Sequence, residues 1–237
     1  MTHTRRKIVV LSGAGISKES GIPTFRDAAD GLWENHRIED VATPEAWKKD
    51  RELVLRFYNE RRKAARAVQP NAGHYALAEL EKIHDVYIVT QNVDDLHERA
   101  GSTNVLHLHG SLFESRSTLD PKLVYKIDGD HINIGNKCEL GSQLRPNIVF
   151  FGEDVPNITV AMDTCFDAEA FIVVGTSMNV YPAAGLVDFV QHGVPIYVVD
   201  PNVVRSGSRY IKICESATVG LPMVIEQIHT GFHTTGL

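Results

Sequence analysis

The sequence predicts a doubly wound α/β fold, in which helices cover both faces of a parallel sheet, with a smaller inserted module. Short runs of β-branched and other apolar residues recur along the 237 residues and end at turn residues. Such runs are typical of strands buried on both faces, and helical patterns lie between them. The segment 113–145 fits neither pattern, and residues 28–70 are too many for one crossover. Together these observations indicate a Rossmann-like doubly wound parallel sheet with an insertion.

The predicted elements follow the chain in order. The strands are the apolar runs at 8–11, 86–89, 105–108, 148–151, 171–174 and 196–199. Helices are predicted over 71–84, 156–168 and 182–191, and the last two begin at a proline, which suits a first helical turn. In the first helix the apolar residues at helical spacing are Tyr75, Leu77, Ala78, Leu80 and Ile83.

The inserted module is predicted from two long connections. Residues 28–70 are too many for one crossover, and a helix over about 44–67 is expected there, with Leu53, Val54, Phe57 and Ala64 on one side. The second segment, 113–145, is rich in Gly, Asp, Ser and Asn. We therefore expect a sheet domain of residues 1–34, 71–112 and 146–237, and a small helical or lid module of 35–70 and 113–145. A cleft between two such units is a common ligand site.

Net charge, cysteine spacing and the pattern of apolar residues argue against several classes of protein. The formal net charge of −6 argues against a surface built for nucleic acid. Three scattered cysteines without a CxxC pair predict no disulfide framework and a reducing, cytoplasmic location. The chain has neither a signal-peptide core nor an apolar stretch of about 18 residues, so no membrane span is expected.

Glycines and polar residues follow several of the predicted strands. Gly13, Ala14 and Gly15 come after the first strand and could cradle a pyrophosphate at a helix start, although Lys18 occupies the third glycine position of the usual fingerprint. A purely structural turn is the alternative. In the loop beyond, Phe25, Arg26 and Asp27 allow either a phosphate or ribose contact or a buried Arg–Asp pair.

A second strand end carries the segment Thr90–Asp94. Gln91, Asn92 and Asp94 could hydrogen-bond an amide and ribose hydroxyls, because ligands bind at the carboxyl ends of strands in open α/β sheets. An Asx turn that caps a helix starting at Val93 or Asp94 is the alternative. The polar residues that follow two later strands, which could contact nucleotide or serve as turns, are Gly175, Thr176, Ser177 and Asp200.

Two histidines lie on one face of the strand near 105–108. His109 is nearer the expected cleft and could act as a general base near neutral pH, whereas His107 is more simply a satisfied core residue. A zinc site made of His107, His109, His131 and Cys138 matches no standard spacing and is disfavoured.

Taken together, these motifs resemble those of the sirtuins, NAD-dependent protein-lysine deacylases. The resemblance runs nearly end to end, through GAGIS (13–17), GIPTFR (21–26), TQNVD (90–94), HLHG (107–110), RPNIVFFGE (145–153) and GTSMNVYPAA (175–184). It implies acyl-lysine proteins as substrates and nicotinamide and O-acyl-ADP-ribose as products. In this reading His109 is the general base, Asn92 and Asp94 hold the nicotinamide amide and ribose, and Gln91 contacts the ribose hydroxyls.

The resemblance also implies roles for the other strand-end residues. NAD would be held by Gly13, Ala14, Gly15, Phe25, Arg26, Gln91, Gly175, Thr176, Ser177 and Asp200. The peptide would meet backbone at Val149, Phe151, Gly152 and Glu153. ADP-ribosyl transfer or NAD hydrolysis in the same pocket, or a non-catalytic NAD-binding module, are the alternatives. A hydride-transferring dehydrogenase is disfavoured because the glycine fingerprint is incomplete.

Two features are particular to this chain. Residues 25–47 are similar to the bacterial branch that removes acidic acyl groups, and that branch carries a Tyr-x-x-Arg pair, here Tyr58 and Arg61. Positions i and i+3 share a helix face and could grip a carboxylate, although a solvated basic face is the alternative. Most sirtuins hold a structural zinc with four cysteines, whereas residues 110–144 contain only Cys138. We predict no zinc and a module held by other packing, with an apolar hairpin as one candidate.

Overall fold

The computed structural model describes residues 5–24, 36–202 and 207–234. It contains a six-stranded, fully parallel sheet with the order β3-β2-β1-β7-β8-β9. These strands are β1 (Lys7–Ser12), β2 (Asp85–Thr90), β3 (Val105–His107), β7 (Ala170–Val174), β8 (Ile196–Val199) and β9 (Tyr210–Ile213). The strand order reverses between β1 and β7, which is where a doubly wound sheet opens a crevice at its carboxyl edge.

Helices cover both faces of this sheet. The even-numbered residues of β1 and β7 pack in one core and the odd-numbered residues in the other, as alternation along a strand requires. The helices are α1 (Gly15–Lys18), α2 (Ile38–Val41), α3 (Pro44–Lys49), α4 (Arg51–Ala67), α5 (Ala72–Glu81), α6 (Leu96–Ala100), α7 (Ile158–Phe166) and α8 (Ala217–Thr234). The sequence-predicted fold class is therefore confirmed.

A small module packs beside the sheet and has a third core of its own. Its antiparallel sheet has the order β5-β4-β6 and consists of β4 (Gly110–Ser117), β5 (Val124–Lys126) and β6 (Leu144–Ile148). The division of the chain after residues 112 and 145 stays a prediction. Strands β4 and β6 each extend past these positions by up to three residues.

Three predicted elements differ in the structure. The run 148–151 is not a strand of the parallel sheet, because Ile148 ends β6 in the small sheet and burial then alternates rather than continuing. The helix over 44–67 is two helices, since Asp50 closes α3 with its N–H and caps α4 with its carboxylate. The segment 182–191 forms a 3₁₀ helix over Ala183–Phe189 rather than an α-helix.

Some predicted core positions are also wrong. Tyr75 and Ile83 of the first predicted helix are exposed, as is Ala64, while Leu77 and Leu80 are buried as expected. The sequence prediction did not include strand β9 or helix α8. Among the helices of the described residues, none combines the length and apolarity needed to cross a bilayer.

Candidate functional site

A cleft of about 710 Å³ runs between the carboxyl edge of the parallel sheet and the small module. Its volume lies within the range of small-molecule sites. Every sequence-predicted site residue within the described ranges lines it: Gly13, Ala14, Gly15, Tyr58, Arg61, Gln91, Asn92, Asp94, His109, Val149, Phe151, Gly152, Glu153, Gly175, Thr176, Ser177 and Asp200. Phe25 and Arg26 lie outside the described residues.

The glycines of the cradle are required by the packing of two turns against each other. The N–H of Gly13 donates to the Val174 carbonyl at 3.0 Å, and that of Gly15 to the Gly175 carbonyl at 2.8 Å. A Cβ on Gly15 would lie 2.6 Å from the Cα of Gly175, so no larger residue fits. The turns after β1 and β7 therefore meet backbone to backbone, which supports the structural interpretation of these glycines, and their ligand-binding role stays a prediction.

The segment after β2 places two predicted catalytic side chains on one serine. Ser17 Oγ donates to Asp94 Oδ2 at 3.1 Å and accepts from Asn92 Nδ2 at 3.1 Å. Burial raises the pKa of Asp94, and hydrogen bonds from Leu96 N–H and Ser17 oppose that rise. The loop thus holds a carboxyl and an amide in fixed positions at the cleft wall.

A buried polar network supports this loop from behind. Ser12 Oγ donates to Thr90 Oγ1 at 2.8 Å and lies 2.9 Å from His97 Nε2. The ring of His74 packs edge-on against His97, and burial lowers the pKa of both histidines. Both imidazoles are therefore neutral at pH 7, which lets them lie side by side without charge repulsion.

His109 has the properties of a general base. Its Nδ1 lies 3.0 Å from the Gln91 carbonyl oxygen, which fixes the proton on Nδ1 and leaves the lone pair on Nε2. Burial lowers the pKa of His109 more than that hydrogen bond raises it, so the ring is neutral at pH 7.

His107 has the opposite environment. Its Nδ1 lies 2.9 Å from the Asn92 carbonyl oxygen and its Nε2 lies 2.7 Å from Glu98 Oε1. Burial lowers the pKa of His107, but the Glu98 carboxylate and the carbonyl outweigh it and the pKa is raised. The structure thus supports the interpretation of His107 as a satisfied residue, one that tethers the catalytic loop.

The remaining strand ends supply polar groups to the same cleft. Gln91 Nε2 donates to Thr176 Oγ1 at 3.1 Å, which links the ends of β2 and β7. Asp200 is buried at the end of β8, and its Oδ1 accepts from the N–H of Asn202 at 2.8 Å. These groups could position a dinucleotide from its ribose hydroxyls to its phosphates.

Tyr58 and Arg61 lie on the module side of the cleft. Tyr58 is almost fully buried and stacks on Phe150 with a ring separation of 5.8 Å. Arg61 is 8% exposed and lies over the ring of Phe57. The alternative of a solvated basic face is therefore wrong for Arg61, although Arg56 and Lys63 are exposed.

Two backbone N–H groups of the predicted peptide-binding segment already form hydrogen bonds within the chain. Val149 and Phe151 donate their N–H groups to the carbonyls of His109 and Ala42. The Glu153 carboxylate accepts from Arg145 at 2.7 Å and from Arg116 at 3.1 Å, and these bonds hold its pKa low despite burial. The backbone role of this segment stays a prediction, and carbonyl oxygens are the groups it would offer.

No cluster of metal-ligating side chains occurs within the described parts of the chain. Cys138 instead contacts two hydroxyls, with Sγ 3.4 Å from Ser117 Oγ and 3.2 Å from Ser142 Oγ. Hydrogen bonding with both serines lowers the pKa of Cys138 to about 7.

The residues expected to form the apolar hairpin are Leu119, Leu123, Val124, Tyr125, Ile127, Ile132 and Ile134. Of these residues only Val124 and Tyr125 are in a strand, β5, and it pairs with β4 rather than with another of them. Leu119, Val124 and Ile134 are exposed, whereas Ile132 is buried.

Several residues of the site were not predicted. Ser17 contacts the predicted site residues Asn92 and Asp94 directly, and it lies within the GAGIS motif without having been given a role. Glu98 contacts His107, which the sequence predicts to be a satisfied core residue. Glu98 is two residues into α6, and no local pattern pairs it with His107. Such contacts depend on how the strands are ordered in the sheet.

Comparison with known proteins gives concordant findings. The sequence profile of the Sir2 family matches residues 13–182. An NAD-dependent protein deacylase of Aggregatibacter actinomycetemcomitans is 55% identical over 194 residues, covering 82% of this chain and 92% of the relative. The crystal structure of a Sir2 homologue–NAD complex is 40% identical with a TM-score of 0.84, covering 95% of this chain and 90% of the other. A Sir2 structure with a deacetylated p53 peptide and 3′-O-acetyl ADP-ribose is 30% identical with a TM-score of 0.78, covering 94% and 93%.

Proposed function

This chain belongs to the Sir2 family and is an NAD-dependent protein deacylase, and we propose that it mainly removes acyl groups ending in a carboxylate from protein lysines. Succinyl, malonyl and glutaryl groups are the proposed substrates, with acetyl as a poorer one. The products are free lysine, nicotinamide and O-acyl-ADP-ribose.

The observation that carries this proposal is the burial of Tyr58 and Arg61 at the cleft wall. The two side chains share one face of α4 and line the same cleft as His109. A guanidinium in a nearly closed site binds a carboxylate through a charge-assisted hydrogen bond, which is roughly twice as strong as a neutral one. The phenol of Tyr58 offers a second donor, because burial raises its pKa and keeps it protonated.

The cleft fits the dinucleotide that the family uses. Gly13, Gly15 and Gly175 let the turns after β1 and β7 pack closely at one edge of the cleft, and Gln91, Thr176 and Asp200 present polar atoms along the rest of it. When bound, NAD supplies the electrophilic ribose carbon and the nicotinamide leaving group. The chain's own residues bind and orient NAD and the peptide, and one of them would take a proton from a ribose hydroxyl.

His109 is proposed as the base. Its neutral Nε2 faces a cleft that also contains Asn92 and Asp94, so it can take a proton from a ribose hydroxyl. Asn92 and Asp94, fixed by Ser17, would bind the nicotinamide amide and the ribose, and the side chain of Gln91 would bind the ribose hydroxyls. Backbone carbonyls at 149–153 would align the peptide.

A peptide panel with Arg61→Met tests the acyl preference. Peptides bearing acetyl-, succinyl- or glutaryl-lysine are incubated with NAD and read by mass spectrometry. For Arg61→Met, kcat/KM on succinyl-lysine should fall about 10- to 100-fold, the loss expected for one charge-assisted bond, and on acetyl-lysine less than about threefold.

Lys63→Met is the matched control, because Lys63 is an exposed cation on the same helix. Lys63→Met should leave kcat/KM unchanged on both succinyl-lysine and acetyl-lysine peptides. Equal losses on both peptides in Arg61→Met would refute the carboxylate clamp. Nicotinamide release by the wild-type protein without any peptide would instead favour NAD hydrolysis or ADP-ribosyl transfer.

A further inference from the structure

Helix α4 carries a second polar pair, Asn59 and Arg62, one residue on from Tyr58 and Arg61. Arg62 has no exposed surface and Asn59 is 8% exposed. The first pair lines the cleft, whereas this second pair points into the small module. A fully buried arginine requires a specific explanation, because taking a guanidinium out of water is costly.

The pair holds a loop of the module on α4 by its backbone. Asn59 Oδ1 accepts from the N–H of Ile132 at 2.9 Å, and its Nδ2 donates to the Ile132 carbonyl at 3.0 Å. Arg62 Nη1 donates to Asn59 Oδ1 and to the Asp130 carbonyl, both at 2.8 Å. Burial lowers the pKa of Arg62 to about 10, so the group keeps its charge at pH 7.

Arg62 also contacts strand β4, which begins directly after His109. Arg62 Nε donates to the carbonyl of Leu112, which is in β4 three residues after His109. The N–H of Leu112 donates to the Val93 carbonyl at 2.8 Å, and Val93 lies between Asn92 and Asp94. One residue, Leu112, therefore connects the buried arginine with the loop of Asn92 and Asp94.

A small side cavity shows how close these groups are. Arg61, Asp94 and Leu112 all line this cavity, whose volume is about 30 Å³. Movement of α4 relative to β4 would therefore displace the acyl side of the cleft relative to its catalytic side. Because hydrogen bonds to backbone atoms fix both distance and direction, they set this relation more tightly than apolar packing does.

We propose that Arg62, supported by Asn59, is a positioning residue for deacylation, which holds the helix bearing Tyr58 and Arg61 in register with strand β4, which begins directly after His109, and with the loop of Asn92 and Asp94. The proposal rests on the deacylase function proposed above. Arg62 does not itself line the cleft.

The variant Arg62→Met tests this proposal through two measurements, peptide kinetics and hydrogen–deuterium exchange. The KM for acyl-lysine peptides should rise at least about fivefold, with acetyl- and succinyl-peptides both affected, while the Kd for ADP-ribose stays within about twofold. Hydrogen–deuterium exchange should show lost protection at residues 110–113, with the amides of β1 unchanged. A merely structural role would lower the active fraction, and therefore kcat, without moving the peptide KM.

Arg66→Met is the matched control. Arg66 is exposed and binds the same loop, through Asp130 Oδ1 at 2.9 Å and the Gly129 carbonyl at 3.0 Å, on the outer side of the module. Because Arg66 also lies over the ring of Phe113, the exchange readout for this control is taken at 110–112, and both that exchange and the peptide KM should be unchanged. If Arg62→Met does not fold, Arg62→Lys keeps the charge and should shift both readouts in the same direction.

Unchanged peptide KM and unchanged protection at 110–113 in a folded Arg62 variant would overturn the proposal, as would equal shifts in Arg66→Met. Failure of the proposed deacylase function can be distinguished from failure of the positioning role of Arg62. If the wild-type protein removes no acyl group, the exchange measurement still decides whether Arg62 holds β4.

Discussion

The two walls of the cleft are built differently. The sheet wall consists of strand ends, where backbone groups and short polar side chains meet at Gly13, Gly175 and Asn92. The module wall consists of long side chains from α4, where Tyr58 and Arg61 depend on the docking of a small sheet. The first wall is set by sheet topology, and the second by side-chain-to-backbone hydrogen bonds.

This difference predicts how each wall fails. Where backbone packs against backbone, one added methyl group displaces a turn, because neither partner can yield. Where side chains reach backbone, a lost hydrogen bond costs about 0.5–1.5 kcal/mol for a neutral donor and about 1.5–3 kcal/mol for a charged one such as Arg62, and the wall shifts rather than collapses. Substitutions in the sheet wall should therefore affect binding and stability sharply, and those in the module wall should affect specificity.

Chemistry on the sheet wall gives the largest expected effect. His109→Ala should lower deacylation about 10²- to 10⁴-fold, the usual contribution of a general base, because no other neutral imidazole lines the cleft among the described residues. ADP-ribose binding, measured by calorimetry, should persist. Full turnover by this variant would remove His109 from the mechanism.

The pH profile of the wild-type enzyme sharpens the same prediction. We propose that His109 acts as a neutral base, so activity should be lost as pH falls through its pKa. Burial lowers that pKa, and the acid limb of kcat/KM should therefore have its midpoint below 6.5. A midpoint above 6.5 would contradict the buried, neutral ring.

Gly175→Ala tests the backbone contact and should have the next largest effect. Gly175 has φ of +64°, and an added Cβ would lie 2.3 Å from the Ile16 nitrogen. Strain and overpacking together should cost about 2–4 kcal/mol, lowering Tm by roughly 5–15 °C, and should weaken ADP-ribose binding.

Gly193→Ala is the control, because Gly193 also has a positive φ but nothing within 4 Å of the added Cβ. It carries the strain without the clash and should cost about 1–2 kcal/mol. Equal loss of stability and unimpaired ADP-ribose binding in both variants would show that the close approach of the two turns is unimportant.

The contrast between the walls also explains what the sequence could predict. Buried strands are apolar runs that end in turns, so the residues after each strand, such as Gln91 and Thr176, could be assigned to one edge of the sheet from the sequence alone. The run 148–151 misled this reasoning, since an apolar run on a one-sided antiparallel strand looks the same.

Residues that act through distant partners could not be placed. Arg62 lies in a basic stretch typical of a solvated helix face, but its contacts with Leu112 and with the loop at Asp130 bury it. Ser17 bonds Asn92 and Asp94 across about 75 positions of sequence. Both contacts depend on tertiary arrangement, on which local spacing carries no information.

The smallest effect is expected in the part of the module where most sirtuins carry zinc cysteines. Ser117 Oγ accepts from the N–H groups of Leu119 and Asp120, both at 3.1 Å, and lies 2.8 Å from Ser142 Oγ, beside Cys138. These bonds close the turns of a module for which we predict no zinc. Purified protein should contain no stoichiometric zinc by elemental analysis, and a chelator should change neither Tm nor activity.

Ser117→Ala should instead lower Tm by about 2–6 °C, because it removes bonds worth about 1–1.5 kcal/mol in total from a chain of this size. Deacylation measured well below that Tm should stay within about twofold, since Ser117 is remote from the cleft lining. One zinc per chain, or a chelator effect larger than that of Ser117→Ala, would mean that a metal and not the hydroxyl cluster holds the module, and that its wall is as rigid as the sheet wall.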